Sequence, residues 1–296
     1  MSIERWGTAA AVTVATIWGL SFVAARIVLT TLSPILLATL RFVIASFVFV
    51  PIILSKINHG GVPPYRDLAE LAALGFLSIS VYFWLQYTGV KLAGAGVSAL
   101  LVVGLIPILT GLASTVLLRE RLTSMKALGT AVGLLGVTLI TVPGLLIEKV
   151  DWRFYIGVTC LFGNAACWAL YSTMSRRLMK RIRKPALVTA WVTIFGTLAL
   201  IPMSLTSDWS KVGLLTPLQW SSVTYLALIC SGLGYFLWNF ALSRLEAVNA
   251  AVWLYLEPIV AFIGETIILG ATPGVTTILG GVIIMLGALI TSRTRS

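Results

Sequence analysis

Long apolar runs recur from one end of the chain to the other, each closed by a short polar junction. Ten of them, residues 7–29, 35–55, 68–90, 94–118, 124–143, 153–178, 185–205, 218–243, 247–269 and 274–292, approach or exceed helix-crossing length. A hydrocarbon core of ~30 Å takes about 20 helical residues to cross. A β-barrel would instead show alternating segments of about ten residues. The pattern therefore predicts an all-α integral membrane protein with ten transmembrane helices. The first run follows Arg5 as a signal peptide would, but it is longer than an ordinary signal core and reads as a retained span. The polar stretch Asn-His-Gly-Gly-Val-Pro-Pro at 58–64 cannot continue a helix.

The pattern also repeats. Tyr82–Pro107 and Tyr235–Pro258 both open on Tyr-Phe and set an amide four residues later, Gln86 or Asn239. Both then cross a basic residue, Lys91 or Arg244, and enter an apolar run that contains a proline. Trp18 matches Trp168, Pro34 matches Pro185, Gly129 matches Gly280 and Gly136 matches Gly287, all at offsets between 150 and 153. The chain divides into a first five-helix repeat at 1–143, a linker at 144–152 and a second repeat at 153–296. Five crossings per half is an odd number, so the second half is expected to lie upside down against the first. Inverted repeats of this kind are common in secondary transporters, with the substrate near the bilayer midplane between the halves.

Composition agrees. Apolar residues make up 58% and charged residues 10%, against about 25% charged in ordinary globular chains. The net charge of +11 would suggest nucleic acid in a soluble protein, but here the cations sit in the junctions. With the N-terminus in the cytoplasm, fifteen of the 21 lysines and arginines fall on the cytoplasmic side and five outside. By the positive-inside rule both termini are then cytoplasmic, and no nucleic-acid partner is implied. Cys160, Cys167 and Cys230 lie within apolar runs without metal-ligand spacing and read as small buried hydrophobes. No metal or cofactor is expected. The single histidine, His59, excludes an H-E-x-x-H zinc site, and neither a phosphate loop nor a G-x-S-x-G elbow is present.

Candidate chemistry comes from polar and aromatic groups inside the runs. A charge in a span costs roughly 2.5–3.5 kcal/mol on insertion scales, so it should face the protein and find a partner. Arg41 is expected to pair with Glu257 or Glu265, either as a structural lock or as coupling and gating groups. Tyr235, Trp238 and Asn239 share a helix face, and Tyr82, Leu85 and Gln86 take the matching places. Trp18 and Trp168 fall mid-run, unlike Trp6, Trp152, Trp209 and Trp220, which suit an interfacial belt. Asn164, Trp168, Tyr171 and Ser175 share a face of the sixth run, and Trp253 stands one turn before Glu257. The candidate substrate-lining set is therefore Trp18, Tyr82, Gln86, Asn164, Trp168, Tyr171, Tyr235, Trp238, Asn239, Trp253 and Glu257, with helix packing as the competing role. Pro107 and Pro258 are candidate hinges or static bends. Gly129-x-x-x-Gly133 permits close helix approach.

Several residues carry a family resemblance: Pro34 and Arg41 in the second run, Leu118-Arg119-Glu120-Arg121-Leu122 after the fourth, and Leu256-Glu257-Pro258 in the ninth. With five-plus-five spans, the chain resembles the EamA group of the drug/metabolite transporter superfamily, and within it the YddG-type exporters of aromatic amino acids. That group usually has Gly where Arg119 stands, and the second copy, Leu269-Gly270-Ala271, lacks the glutamate. The resemblance implies a bacterial inner-membrane exporter of small metabolites working by alternating access. Amino acids, hydrophobic or aromatic ones first, are the expected solutes. Export of purines or cationic drugs is the alternative, since Glu257 and Glu265 suit a cation. A distant alternative is an intramembrane lipid-modifying enzyme that uses Arg41 and Glu257 on a phosphorylated headgroup. The expected partners are a small-molecule substrate and the lipid bilayer; solute, coupling ion and oligomeric state stay open.

Overall fold

A computed structural model describes residues 2–58, 62–93, 95–145, 152–269 and 275–292. His59, most of the linker and the Gly270-Ala271 pair lie outside the described residues, as do the side chains of Lys91 and Glu265.

The described residues are all helical or connecting. The first half contains α1 (Ser2–Leu29), α2 (Pro34–Asn58), α3 (Tyr65–Gly75), a π-helical stretch Phe76–Val81, α4 (Tyr82–Ala93), α5 (Ala95–Leu118) and α6 (Ser124–Leu145). The second contains α7 (Trp152–Ile182), α8 (Pro185–Ser204), a 3-10 turn Trp209–Leu214, α9 (Pro217–Thr224), a π-helical stretch Tyr225–Gly234 and α10 (Tyr235–Arg244). It closes with α11 (Ala247–Ala251), a 3-10 turn Val252–Leu256, α12 (Glu257–Leu269) and α13 (Val275–Ser292). Among the described residues, seven helical segments are long and apolar enough to cross a membrane, and three shorter apolar ones lie at Ser124–Leu139, Ala247–Ala261 and Ile278–Thr291. Apolar runs become helices in lipid because a helix satisfies its backbone groups internally.

Local chemistry sets the ends. Pro34, Pro185 and Pro217 each begin a helix, where the missing N–H costs nothing. Thr216 and Gln219 form a capping box: Gln219 N donates to Thr216 Oγ1 at 3.3 Å and Thr216 N donates to Gln219 Oε1 at 3.0 Å. Gln219 Nε2 also donates to Thr31 Oγ1 at 2.8 Å, which ties this cap to the end of α1.

Packing relates the halves by a two-fold exchange. Helix α1 packs on α10 and α12, and its counterpart α7 packs on α4 and α5. Helix α2 lies against α8, and α6 against α13. Swapping the halves maps this set of contacts onto itself. The α6–α13 seam is glycine-dependent: a Cβ on Gly287 would stand 2.5 Å from Gly133 N and 2.6 Å from Gly129 O. Small residues there let two backbones meet, as the Gly129-x-x-x-Gly133 spacing suggests.

The two prolines behave differently. Helix α5 continues through Pro107. The matching run changes to a 3-10 turn over Val252–Leu256, directly before Glu257 and Pro258.

Candidate functional site

Nine aromatic rings from both halves join into one network where the halves meet. The first half supplies Trp18, Phe42, Tyr82, Phe83 and Tyr87, and the second supplies Trp168, Tyr171, Tyr235 and Trp238. The pseudo-symmetric tryptophans touch, with Trp18 and Trp168 ring centroids 5.1 Å apart and edge to face. Tyr82 stands 5.2 Å from Trp168, and Tyr235 stands 5.8 Å from Trp18. Edge-to-face contacts at these distances contribute about 0.5–1.5 kcal/mol each beyond burial. Six of the nine rings belong to the sequence-derived candidate set.

The π-helical stretches frame this network. They end at equivalent places, immediately before Tyr82 and Tyr235. Each presents a carbonyl to a ring of the opposite half: Tyr235 Oη donates to Ser78 O at 3.1 Å, and Trp18 Nε1 donates to Cys230 O at 3.0 Å. Gly234 makes room for the second bond, since a Cβ there would lie 2.7 Å from Trp18 Nε1. Single turns of π-helix are often found at functional sites. Nothing in the apolar periodicity signalled them.

The amides behave as bridges. Asn239 Nδ2 donates to Tyr171 Oη at 2.9 Å, Thr189 Oγ1 at 3.0 Å and Tyr235 O at 3.1 Å. Asn164 Nδ2 donates to Tyr82 O at 2.8 Å, from the second half to the first, whereas the Asn239 bonds stay within the second half. Among the described residues, both Oδ1 atoms and Trp168 Nε1 are buried without a hydrogen-bond partner. An unpaired buried polar group costs about 1–3 kcal/mol, so such a set favours a polar ligand.

Arg41 is 6% exposed. Its Nε donates to Ser231 Oγ at 2.8 Å, and its guanidinium lies 5.1 Å from the Phe42 centroid and 5.0 Å from that of Phe83. The Tyr87 hydroxyl also interacts with it. Of the two expected partners of Arg41, Glu257 does not pair with it and the side chain of Glu265 lies outside the described residues; among the described residues no carboxylate lies within 4 Å of Arg41. A serine hydroxyl and aromatic faces hold the cation instead. Glu257 is 8% exposed and starts α12 after the 3-10 turn.

Two candidates stand apart. Gln86 is half-buried and joins no ring contact among the described residues, and Trp253 is buried in the core outside the ring network. Pro107 lines a small groove with Ile108, Gly111 and Thr130. Phe42, Phe83 and Tyr87 were missed, although Phe42 adjoins Arg41 and Phe83 completes the repeated Tyr-Phe pair.

At the end of the bundle where α5, α7 and α10 terminate, charges clasp the halves together. Glu120 pairs with Arg176 and accepts from Ala247 N at 3.3 Å. Arg176 Nη1 donates to Leu242 O at 3.0 Å. Lys126, fully buried, pairs with Glu246 and donates to Arg121 O at 3.3 Å.

Comparison with known proteins follows the same division into halves. Residues 5–142 and 155–293 each match the model of the EamA-like transporter family. A protein of Archaeoglobus fulgidus named as an uncharacterized transporter is 30% identical over 95% of this chain and 96% of its own. A probable amino-acid metabolite efflux pump of Salmonella typhimurium is 26% identical over 95% and 92%. One crystal structure shares the fold with a TM-score of 0.80 at 20% identity, covering 97% of this chain and 96% of that one.

Proposed function

Because this chain belongs to the EamA-like transporter family, a family of multi-pass membrane transporters and not of enzymes, we propose that it exports amino acids with hydrophobic or aromatic side chains. It does so through the ring network between the halves, by alternating access across a bacterial inner membrane. The observation that carries this reading is the network itself, built from both repeats, with the buried cation Arg41 packed against its Phe42 and Phe83 rings. The rings pack edge to face or tilted against one another at 5–6 Å in this conformation. An aromatic solute exchanges ring–ring contacts for ring–solute contacts of similar strength, so entry carries little net cost. The proposed topology has ten spans with the two repeats inverted and both termini cytoplasmic. The Salmonella relative's name supports the solute class.

The test is transport by purified protein in liposomes. A panel of labelled amino acids is offered with and without a pH gradient. Phenylalanine, tyrosine or leucine should exchange faster than glutamate or lysine. Equal handling of all of them, or movement of none, removes the amino-acid reading. The second reading, a purine or cationic-drug exporter, is favoured by Glu257, which has no ion-pair partner among the described residues. The same panel with adenine and a monovalent organic cation separates the two readings.

A further inference from the structure

We propose that Arg41 is the carboxylate-binding group of the solute site and that Ser231 of the opposite half is its positioning residue. This rests on the export reading above.

A guanidinium offers five N–H donors in a planar fork suited to a carboxylate. In Arg41 the Nε–H is taken by Ser231 Oγ at 2.8 Å. That bond sets the orientation of the fork and leaves the two Nη groups at its free end. The flat faces are occupied, because Phe42 and Phe83 lie 5.1 and 5.0 Å from the guanidinium carbon. The Tyr87 hydroxyl interacts with the same group. None of these neighbours carries a negative charge. A cation this deeply buried, 6% exposed, normally has an anionic partner. Among the described residues it has none within 4 Å. A solute carboxylate supplies the missing charge and meets the fork in the two-bond geometry that arginine favours.

The location fits the rest of an amino acid. Phe42 and Phe83 join the guanidinium to the ring network, so a carboxylate on Arg41 puts the attached side chain among the rings. Glu257, a buried acid at the start of α12, is assigned to the ammonium. Ser231 belongs to the π-helical stretch Tyr225–Gly234, and Arg41 to α2. The subsite is therefore assembled across the two halves, and relative motion of the halves would break the Ser231–Arg41 bond and misalign the fork. Bound solute is thereby sensed by the interface that must move.

The experiment compares phenylalanine with phenethylamine, which keeps the ring and the ammonium but lacks the carboxylate. Transport in liposomes and tryptophan-fluorescence quenching of the purified protein are read in parallel. Unmodified protein should prefer phenylalanine. Ser231→Ala should raise the half-saturation concentration for phenylalanine about tenfold, the scale of one lost hydrogen bond to a charged group, with little change in maximal rate. Phenethylamine handling should be unaffected, and Ser231→Thr, which retains the hydroxyl, should restore phenylalanine. Arg41→Gln should abolish the preference and Arg41→Lys should keep part of it. A purely structural role for Ser231 predicts equal losses for both solutes, and that result overturns the proposal. So does a wild-type protein that binds phenethylamine as tightly as phenylalanine, even if transport is confirmed. If no solute moves, the export reading fails by itself, and the quenching data still decide the subsite: carboxylate-dependent binding lost in Ser231→Ala supports it, and its absence overturns it.

Discussion

Arg119 holds its backbone at φ 57°, directly after the last residue of α5. That is the left-handed conformation in which helices commonly end, and glycine adopts it without strain. The departure from the L-G-E-R-L string noted in the sequence therefore falls where the backbone demands a glycine-like residue. Arg119→Gly should raise stability by roughly 0.5–1 kcal/mol, because relief of left-handed strain exceeds the added freedom of the unfolded chain. Thermal unfolding in detergent measures it, and a lower midpoint for the variant contradicts the assignment. Arg183 has the same conformation, φ 53°, after α7. Asn239 and Asn164 act alike at the site, since each donates its Nδ2 to the main-chain carbonyl of a repeated tyrosine, Tyr235 or Tyr82.

Among elements, the segment that joins α5 to α6 does more than connect. Its Glu120 meets Arg176 of α7, and Lys126 at the start of α6 meets Glu246 beside α11. Both pairs hold the first half to the second at one end of the bundle. Breaking a largely buried pair leaves one charge unpaired, at a cost of about 3–5 kcal/mol. Glu120→Gln and Arg176→Gln should each destabilise by about 3 kcal/mol, with the double variant far from additive. A thermodynamic cycle on unfolding midpoints reads this; additive losses mean that the pair is not energetically coupled. The π-helical stretches and the 3-10 turn before Pro258 are the other irregular elements, and all three lie beside groups of the proposed site. Irregular backbone in a membrane protein survives where other protein groups satisfy it, as Trp18 and Tyr235 do here.

At the scale of the whole molecule, the proposed topology has two copies that face opposite ways, which follows from an odd number of apolar runs per half. Met125 and Thr276 occupy matching positions at the starts of α6 and α13. In a protein freed of its three cysteines, an impermeant thiol reagent outside the cell should label a cysteine at Thr276 and spare one at Met125. Labelling of both, or the reverse pattern, removes the proposed topology.

The order of apolar runs was written in the sequence because lipid forces each run into a helix, whatever its neighbours. The duplication was legible too, and it drew attention to Trp18, Tyr82, Trp168 and Tyr235 through their matched offsets, and so to most of the ring network. Only the tertiary structure decided who meets whom. Arg41 found Ser231, 190 positions away, in place of the glutamate that charge alone suggested. Glu120 found Arg176, and Trp18 found the carbonyl of Cys230, 212 positions on. Periodicity fixes which face of a helix turns inward, but the partner on that face depends on how separate helices rotate and slide against one another. In lipid that is governed by side-chain packing, which no single run encodes.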